Sequence, residues 1–355
     1  MLLKNKDWLD IISVMLKITP GIYVEKLKRR KFLQVSGLGI TSTLFAKRAE
    51  AGSFFMKRFL ALPPKKTPFI TPTEDFYIVQ YSGPQTVDVN TWSLKITGKV
   101  DKPLRLTYED ILKRPAIERM VTLTCIDNEV AGDLISNALW KGIELKDLLS
   151  EAKPQSAVVD VALYGADDYS DSITFERATQ YDVFLAYEMN GKPLNKDHGF
   201  PLRAVVPGLY GIKNVKWLTQ LELTDYDYKG YWQKKSWTDQ GTIKVSSRID
   251  APGPYNTIKK GDIFRGIAFS GYNGMGMVEI SFDDTKTWQR VKLDSKATSP
   301  YAWVHWHYAW ETASPGDHRI YVRATDRIGR TQTSFIAGAF PEGTSGLHSI
   351  VAFVE

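Results

Sequence analysis

Alternation of apolar and polar side chains, rather than a helical repeat, dominates the chain from about residue 90. Trp92-Ser93-Leu94-Lys95-Ile96 alternates with a period of two and predicts a strand, because successive strand side chains point to opposite faces. Met120 to Cys125 does the same, with Val121, Leu123 and Cys125 on one face, and Val158 to Tyr164 predicts another strand. Two short helices interrupt. Thr107 precedes Ile111-Leu112 with Asp110 three positions on, a helix start that Pro115 stops, and Leu145, Leu148 and Leu149 line one side of the second. Pro63-Pro64 to Pro72 predicts an extended lead-in segment. Strand and helix signals alternate up to about residue 240 without a regular βαβ rhythm, which predicts an α+β domain over 52–240. Beyond it the texture changes to short strands with turns between them. Met277–Phe282, Asp283-Asp284 and Thr287–Val291 predict a hairpin, and Ile320, Val322 and Ala324 alternate before a turn at 326–329. Such a texture over 241–355 predicts an all-β sandwich.

Composition narrows the partners. Ten Trp and 17 Tyr in 355 residues suit sheet, and a single Cys excludes an internal disulfide and a cysteine zinc site. The chain carries 46 Lys/Arg and 40 Asp/Glu. Ten of the former and four of the latter lie in residues 1–51, leaving 36 of each from Gly52 onward. The body is formally neutral, which excludes nucleic-acid binding by charge. The basic leader has its own pattern. Lys28-Arg29-Arg30-Lys31-Phe32-Leu33 is followed by the mildly apolar stretch 35–46 and by Ala49-Glu50-Ala51. Paired arginines, apolar run and small-x-small site resemble a twin-arginine export signal over residues 1–51, which predicts a periplasmic protein exported already folded. A basic amphipathic helix on a membrane surface is the other reading.

Cys125 ends a predicted strand and opens into Asp127-Asn128-Glu129 and Gly132-Asp133. A lone Cys is commonly a small buried apolar residue; at the mouth of a strand beside a polar loop it is also placed to react or to bind metal. His198, Arg203, Lys213 and Lys216 lie close together with Gly199, Gly208 and Gly211 between them, a combination that suits phosphate, or equally a solvated cationic surface. His305 and His307 share one face of a predicted strand rich in Trp and Tyr, which reads as packing or an interface.

The run Thr122 to Asp133, Leu185 to Gly191, His198 to Arg203 and Asn214 to Leu218 resemble, in order, segments of the sulfite oxidase family of molybdopterin-dependent oxidoreductases. The part through Pro315–His318, Val322–Asp326 and Leu347–Ile350 resembles that family's immunoglobulin-like dimerisation domain. The resemblance implies a molybdenum–molybdopterin cofactor, with the Cys125 thiolate on the metal. It implies pterin contacts from His198 and Arg203, and a phosphate loop of Asn214, Val215 and Lys216. It also implies contacts from Gln80 and Tyr81, and from Asp168, with Asp167 as the alternative. A homodimer and a separate electron partner, a cytochrome or membrane subunit, go with it.

Departures from the family bear on substrate. Val79, Glu129 and Val130 stand where arginines are expected, and Trp237 stands for an active-site tyrosine, with Lys234 and Lys235 nearby. Each charge-assisted hydrogen bond lost by a divalent anion costs about 1.5–3 kcal/mol. The implied substrate is therefore a small, less charged molecule such as a sulfoxide. Three other readings stay open: a sulfite dehydrogenase with a cytochrome acceptor, a cysteine hydrolase pairing Cys125 with His198, and a non-enzymatic exported binding protein.

Overall fold

The computed structural model describes residues 62–294, 299–311 and 314–354, so the expected export signal at 1–51 lies outside the described residues. In chain order the first half holds β1 (Ser93–Gly98), β2 (Leu104–Thr107), α1 (Tyr108–Leu112), β3 (Ile117–Thr124), β4 (Ile135–Glu144), α2 (Leu145–Ala152), β5 (Asp160–Gly165), β6 (Ser170–Thr174), α3 (Phe175–Ala178), β7 (Phe184–Met189), β8 (Lys192–Pro193), β9 (Arg203–Val205) and β10 (Leu218–Thr224). The second half holds β11 (Ser246–Ala251), β12 (Thr257–Ile258), β13 (Ile263–Phe269), β14 (Met275–Ser281), β15 (Gln289–Arg290), β16 (Lys292–Leu293), β17 (Val304–Ala309), β18 (Gly316–Asp326) and β19 (His348–Val354). Strand dominates because the apolar positions repeat at two rather than 3.6. Helix among the described residues is limited to α1, α2 and α3, of five, eight and four residues, besides short 3-10 turns, so no helical layer of the kind an α+β label suggests is present there. The helix at Thr107 has its expected start: Asp110 N–H donates to the Thr107 hydroxyl, and the Asp110 carboxylate accepts from Thr107 N–H.

Two sheets build the first half. One runs β2-β1-β10-β5-β6; the other runs β3-β4-β7-β8, with β9 also on β7. Leu94, Ile96, Leu163 and Leu221 of the first pack against Leu185 and Ala204 of the second and against Leu145, Leu148 and Leu149 of α2. Full burial of such side chains is worth about 1.5–3 kcal/mol each. In the second half the sheet β11-β13-β17-β16 lies on β12-β19-β18-β14-β15 around Phe264, Val278, Trp306, Ile320 and Val322. That is a β-sandwich, and β14 and β15 form the expected hairpin, Glu279 opposite Arg290. His305 stands edge-on to Phe69 with centroids 5.8 Å apart, and His307 Nδ1 lies 2.9 Å from Asp294, so both sit in local packing.

The halves meet through a shared apolar cluster, Ile126, Ile135 and Tyr210 with Ile243, Ile267, Phe269 and Trp303. A strap over residues 62–81 ties them further. Lys65 N–H donates to the Asp250 carbonyl at 2.6 Å, and the Phe69 carbonyl accepts from Asn137 Nδ2 at 2.8 Å and from Trp303 Nε1 at 3.0 Å. Arg248 of β11, itself buried, donates to Asp250 at 2.6 Å, to Thr67 at 3.0 Å and to the Gly132 carbonyl at 2.7 Å.

His348 opens β19, and its Nδ1 accepts the Ile249 N–H at 2.9 Å, so that nitrogen must be unprotonated. Burial, with Lys65 and Arg248 adding, pulls its pKa down to about 3. The unfolded chain takes up this proton below its ordinary pKa of about 6.5, whereas the folded one does not until about pH 3. Stability from this group is therefore complete above the unfolded value and is lost as the pH falls from there toward the folded one. His348→Asn keeps an acceptor and removes the titration. Its thermal midpoint should fall less than the wild type's between pH 7 and pH 4; parallel curves would show that His348 plays no part in the acid sensitivity.

Candidate functional site

β3 delivers Cys125 just past its last residue. Cys125 N–H donates to the Leu134 carbonyl at 2.9 Å, and Asn128 closes the loop between them by accepting Leu134 N–H at 2.9 Å. Gly132 is needed here, since a Cβ would run into the Asn128 side-chain oxygen. From outside, Lys65 donates to Asp133 at 2.6 Å and Arg248 to the Gly132 carbonyl, so the strap and the second half both hold the cysteine loop. The thiol opens into a cleft of about 760 Å³ whose wall includes Gln80, Tyr81, Asp167, His198, Arg203 and Lys216. Burial raises the Cys125 pKa, while the Asp127 N–H works against it. A bound metal ion reverses that balance and takes the thiolate outright.

The opposite wall comes from the segment 198–217. His198 is buried, and its Nε2–H donates to the Thr73 carbonyl of the strap at 3.0 Å. Burial, with Arg203 and Lys216 adding, lowers its pKa. Gly199 follows at φ +104°, where a Cβ would sit 3.1 Å from both Arg203 and Lys216, so the turn needs glycine. Arg203 is 5% exposed and donates to the carbonyls of His198 at 3.1 Å and Asn214 at 3.3 Å, with its guanidinium 5.0 Å over the Trp140 ring. Its Nε is buried without a partner. Burial lowers its pKa to about 10. Lys216 reaches the Gln80 side-chain oxygen at 2.8 Å and the Asp197 carbonyl at 3.0 Å; burial, then Arg203, lower its pKa to about 7. Asn214 spends its side chain on the backbone, accepting Val206 N–H and donating to the Leu209 and Tyr210 carbonyls, so it shapes the loop in which Val215 lines the cleft.

These residues suit an anionic phosphate-bearing group. Among the described residues no carboxylate lies within ion-pair range of Arg203 or Lys216, and both line the cleft. The one carboxylate in the wall is Asp167, and burial raises its pKa. A buried guanidinium without a counter-ion and with an unpartnered N–H, beside a half-buried lysine that Asp167 and Asp197 offset only at longer range, is costly unless an anion joins it. With the thiol across the cleft, the donor set fits a molybdenum–pterin group with a terminal phosphate.

Several expected residues stand elsewhere. Asp168 is exposed at φ 63° and off the cleft, and its neighbour Asp167 takes the place in the wall. Lys213 turns away from the phosphate side into a buried ion pair with Asp171. Trp237 is one ring behind the wall, 5.9 Å from Trp232, which does line the cleft. Val79 is in the wall, whereas Glu129 and Val130 face a separate cavity against the second half. Phe76 and Tyr77 join the wall, in keeping with the resemblance of the segment 76–81 to a pterin-contacting stretch, and Tyr169 and Trp232 join it without having been expected from the sequence.

Comparison with known proteins agrees with this donor set. Residues 81–232 match the oxidoreductase molybdopterin binding domain and residues 239–338 the Mo-co oxidoreductase dimerisation domain. The chain is 31% identical to mitochondrial sulfite oxidase of Rattus norvegicus over 79% of its own length and 60% of that protein's. It is 30% identical to NADH nitrate reductase 1 of Oryza sativa subsp. japonica, over 74% of the chain and 36% of the relative. It thus spans less than two thirds of either. For the sulfite oxidase of Arabidopsis thaliana the identity is 30%, over 70% of this chain and 77% of that one. The fold also resembles the sulfane dehydrogenase SoxCD from Paracoccus pantotrophus, with a TM-score of 0.69 at 23% identity over 96% of this chain and 98% of the other. A cysteine set at the mouth of β3, in one cleft with the buried Arg203 and the half-buried Lys216, within two matched domains and a relative covered over most of its length, places the chain in the sulfite oxidase family of molybdopterin-dependent oxidoreductases.

Proposed function

We propose that the protein moves an oxygen atom between water and a small neutral organic molecule, such as a sulfoxide, and exchanges the electrons with a separate carrier protein. The observation that carries this is the pairing of Cys125 with the cations Arg203 and Lys216 across one cleft. When bound, the molybdenum cofactor supplies two-electron oxygen-atom transfer. The chain's part is to hold and select. Cys125 ligates the metal, Arg203 and Lys216 hold the phosphate, and the loop 214–216 offers its backbone to it. Gln80 keeps Lys216 aimed, Thr73 fixes the His198 ring, and Asp167, in the same wall, would be the carboxyl offered to the pterin. Membership of this enzyme family sets aside the hydrolase and the binding-protein readings.

The walls favour a neutral substrate. Val79 offers no charge, Val130 lies off the cleft, and Tyr81, Tyr169 and Trp232 of its wall pack with Tyr231 in a tilted and edge-to-face aromatic group, Tyr81 and Tyr231 with centroids 4.4 Å apart. Such walls recognise apolar bodies with one polar atom. A sulfite dehydrogenase with a cytochrome acceptor is the second reading. Lys235 favours it, since its ammonium lies 4.5 Å over the Tyr231 ring, which packs on Tyr81 of the cleft wall. Twin-arginine export to the periplasm, with residues 52–240 binding the cofactor and an immunoglobulin-like homodimerising half beyond them, completes the proposal; sedimentation at twice the chain mass tests the dimer.

Elemental analysis of matured protein should find about one molybdenum per chain. Dimethyl sulfoxide should turn over with reduced methyl viologen as donor, and sulfite should react poorly with ferricyanide. Matured protein without molybdenum sinks the proposal. Sulfite turnover with kcat/KM near 10⁶ M⁻¹s⁻¹, typical of efficient enzymes, replaces the neutral substrate with the second reading.

A further inference from the structure

A buried ion pair joins the cofactor cleft to a second cleft. Asp171 on β6 and Lys213 have side chains 0% and 2% exposed. The Lys213 ammonium donates to Asp171 Oδ1 at 2.7 Å and to the Ser172 carbonyl at 2.9 Å. Asp171 Oδ2 lies 3.0 Å from the Tyr169 hydroxyl and accepts from Gln233 Nε2 at 3.3 Å. Tyr169 is part of the cofactor cleft's wall. On the other side, Lys213 lines a cleft of about 1270 Å³ together with Asp160, Asp182, Glu176, Arg177 and Asp239. Its ammonium lies 3.5 Å from the half-exposed Asp239 carboxylate, which Lys229 also holds at 2.7 Å. Links of 2.7–3.5 Å therefore run from the cofactor cleft to water: Tyr169, Asp171, Lys213, Asp239.

Stability gives little reason for such a pair. Desolvating two charges offsets most of their attraction, and a neutral pair of the same shape commonly does as well. What a neutral pair lacks is a continuous route for protons.

We propose that Asp171 and Lys213 conduct protons between the cofactor cleft and solvent. The proposal rests on the oxygen-transfer reading. Reducing a sulfoxide R₂SO to R₂S and H₂O consumes two protons and two electrons; the electrons come from a carrier protein, which brings no protons. Inward, Asp239, protonated from water, passes its proton to the Lys213 amine left when Lys213 has protonated Asp171. Asp171 passes its proton to the Tyr169 oxygen as the Tyr169 hydroxyl, which also lies 2.8 Å from the Ile212 carbonyl of the cleft wall, gives up its own proton to the sulfoxide oxygen that leaves as water. Every group returns to its starting charge, and substrate oxidation runs the same chain outward. Burial holds the Asp171 carboxyl above its ordinary pKa against the pull of Lys213, which suits a group that must accept a proton.

The test uses holoenzyme. Asp171→Asn/Lys213→Met keeps the shape of the pair and strands no charge. Time-resolved infrared spectra of wild type recorded during turnover, in H₂O and D₂O, should show a transient carboxyl band that shifts with deuterium and is missing in Asp171→Asn. The double variant should keep its molybdenum, and its dimethyl sulfoxide turnover with reduced methyl viologen should fall about 10²-fold, the low end of general acid–base effects. Its solvent isotope effect should rise as well. Wild-type spectra without that band overturn the relay before any variant is made. A double variant with wild-type spectra, rate and isotope effect overturns the relay alone. Wild type without molybdenum removes the oxygen-transfer reading and the relay with it.

Discussion

Cys125→Ser is expected to lose more than about 10²-fold in turnover while keeping its fold, since even residues that only support a metal ligand cost 10–100-fold when changed. The side chain is small and buried, and serine differs by one atom, so β3 and the loop to Leu134 keep their backbone bonds. The chemistry does not survive as well. A thiolate is a soft donor that the metal can hold deprotonated, whereas a serine hydroxyl is harder and far less acidic. The check is molybdenum content, circular dichroism and turnover measured together. Near-normal turnover with normal molybdenum would make Cys125 a packing residue and leave the cleft without its metal ligand.

Arg203→Met is expected to give protein that folds but retains its cofactor poorly. Loss of a charge-assisted hydrogen bond costs about 1.5–3 kcal/mol, which is one to two decades in affinity. Methionine fills the same space against Trp140, but the His198 and Asn214 carbonyls lose their donor, so a modest drop in thermal midpoint accompanies the loss. Arg203→Lys should fall between, because an ammonium keeps the charge and cannot span both carbonyls as the guanidinium fork does. Pterin fluorescence and molybdenum per chain measure the effect. A methionine variant with wild-type cofactor content would move the phosphate site away from Arg203.

Strands and the cysteine's setting were legible in the sequence because both depend on neighbours in the chain. Period-two alternation announces β1, β3 and β18, and a cysteine at a strand's end beside Asp127-Asn128 is visible in one segment. His198, Arg203 and Lys216 share a short run whose glycines force them to one place. Whatever depends on distant partners was not legible. Lys213 has the same local credentials as Lys216, yet its partner Asp171 is 42 residues away, and nothing near Lys213 announces it. Asp167 and Asp168 differ only in which one the left-handed turn at Asp168 sends outward. Trp232 and Trp237 are alike in composition, and only the 3-10 turn between them decides which ring reaches the cleft.

Translation adds a time order to the strap over residues 62–81. It is made early, but the groups that hold its outer end are made late. Thr67 waits for Asp250, 183 residues on, and Phe69, already held by Asn137, gains Trp303 only 234 residues on. At 5–20 residues per second that is a delay of roughly 10–45 s. Through that interval the Thr73 carbonyl that orients His198 and the Gln80 oxygen that aims Lys216 belong to a segment not yet tied at its outer end. The inner part of the strap, which Asn137 and Asn190 tie at Phe69, Thr71 and Thr73, can therefore settle well before the outer end is fixed by Asp250 and Trp303, so that side of the cleft closes in two stages.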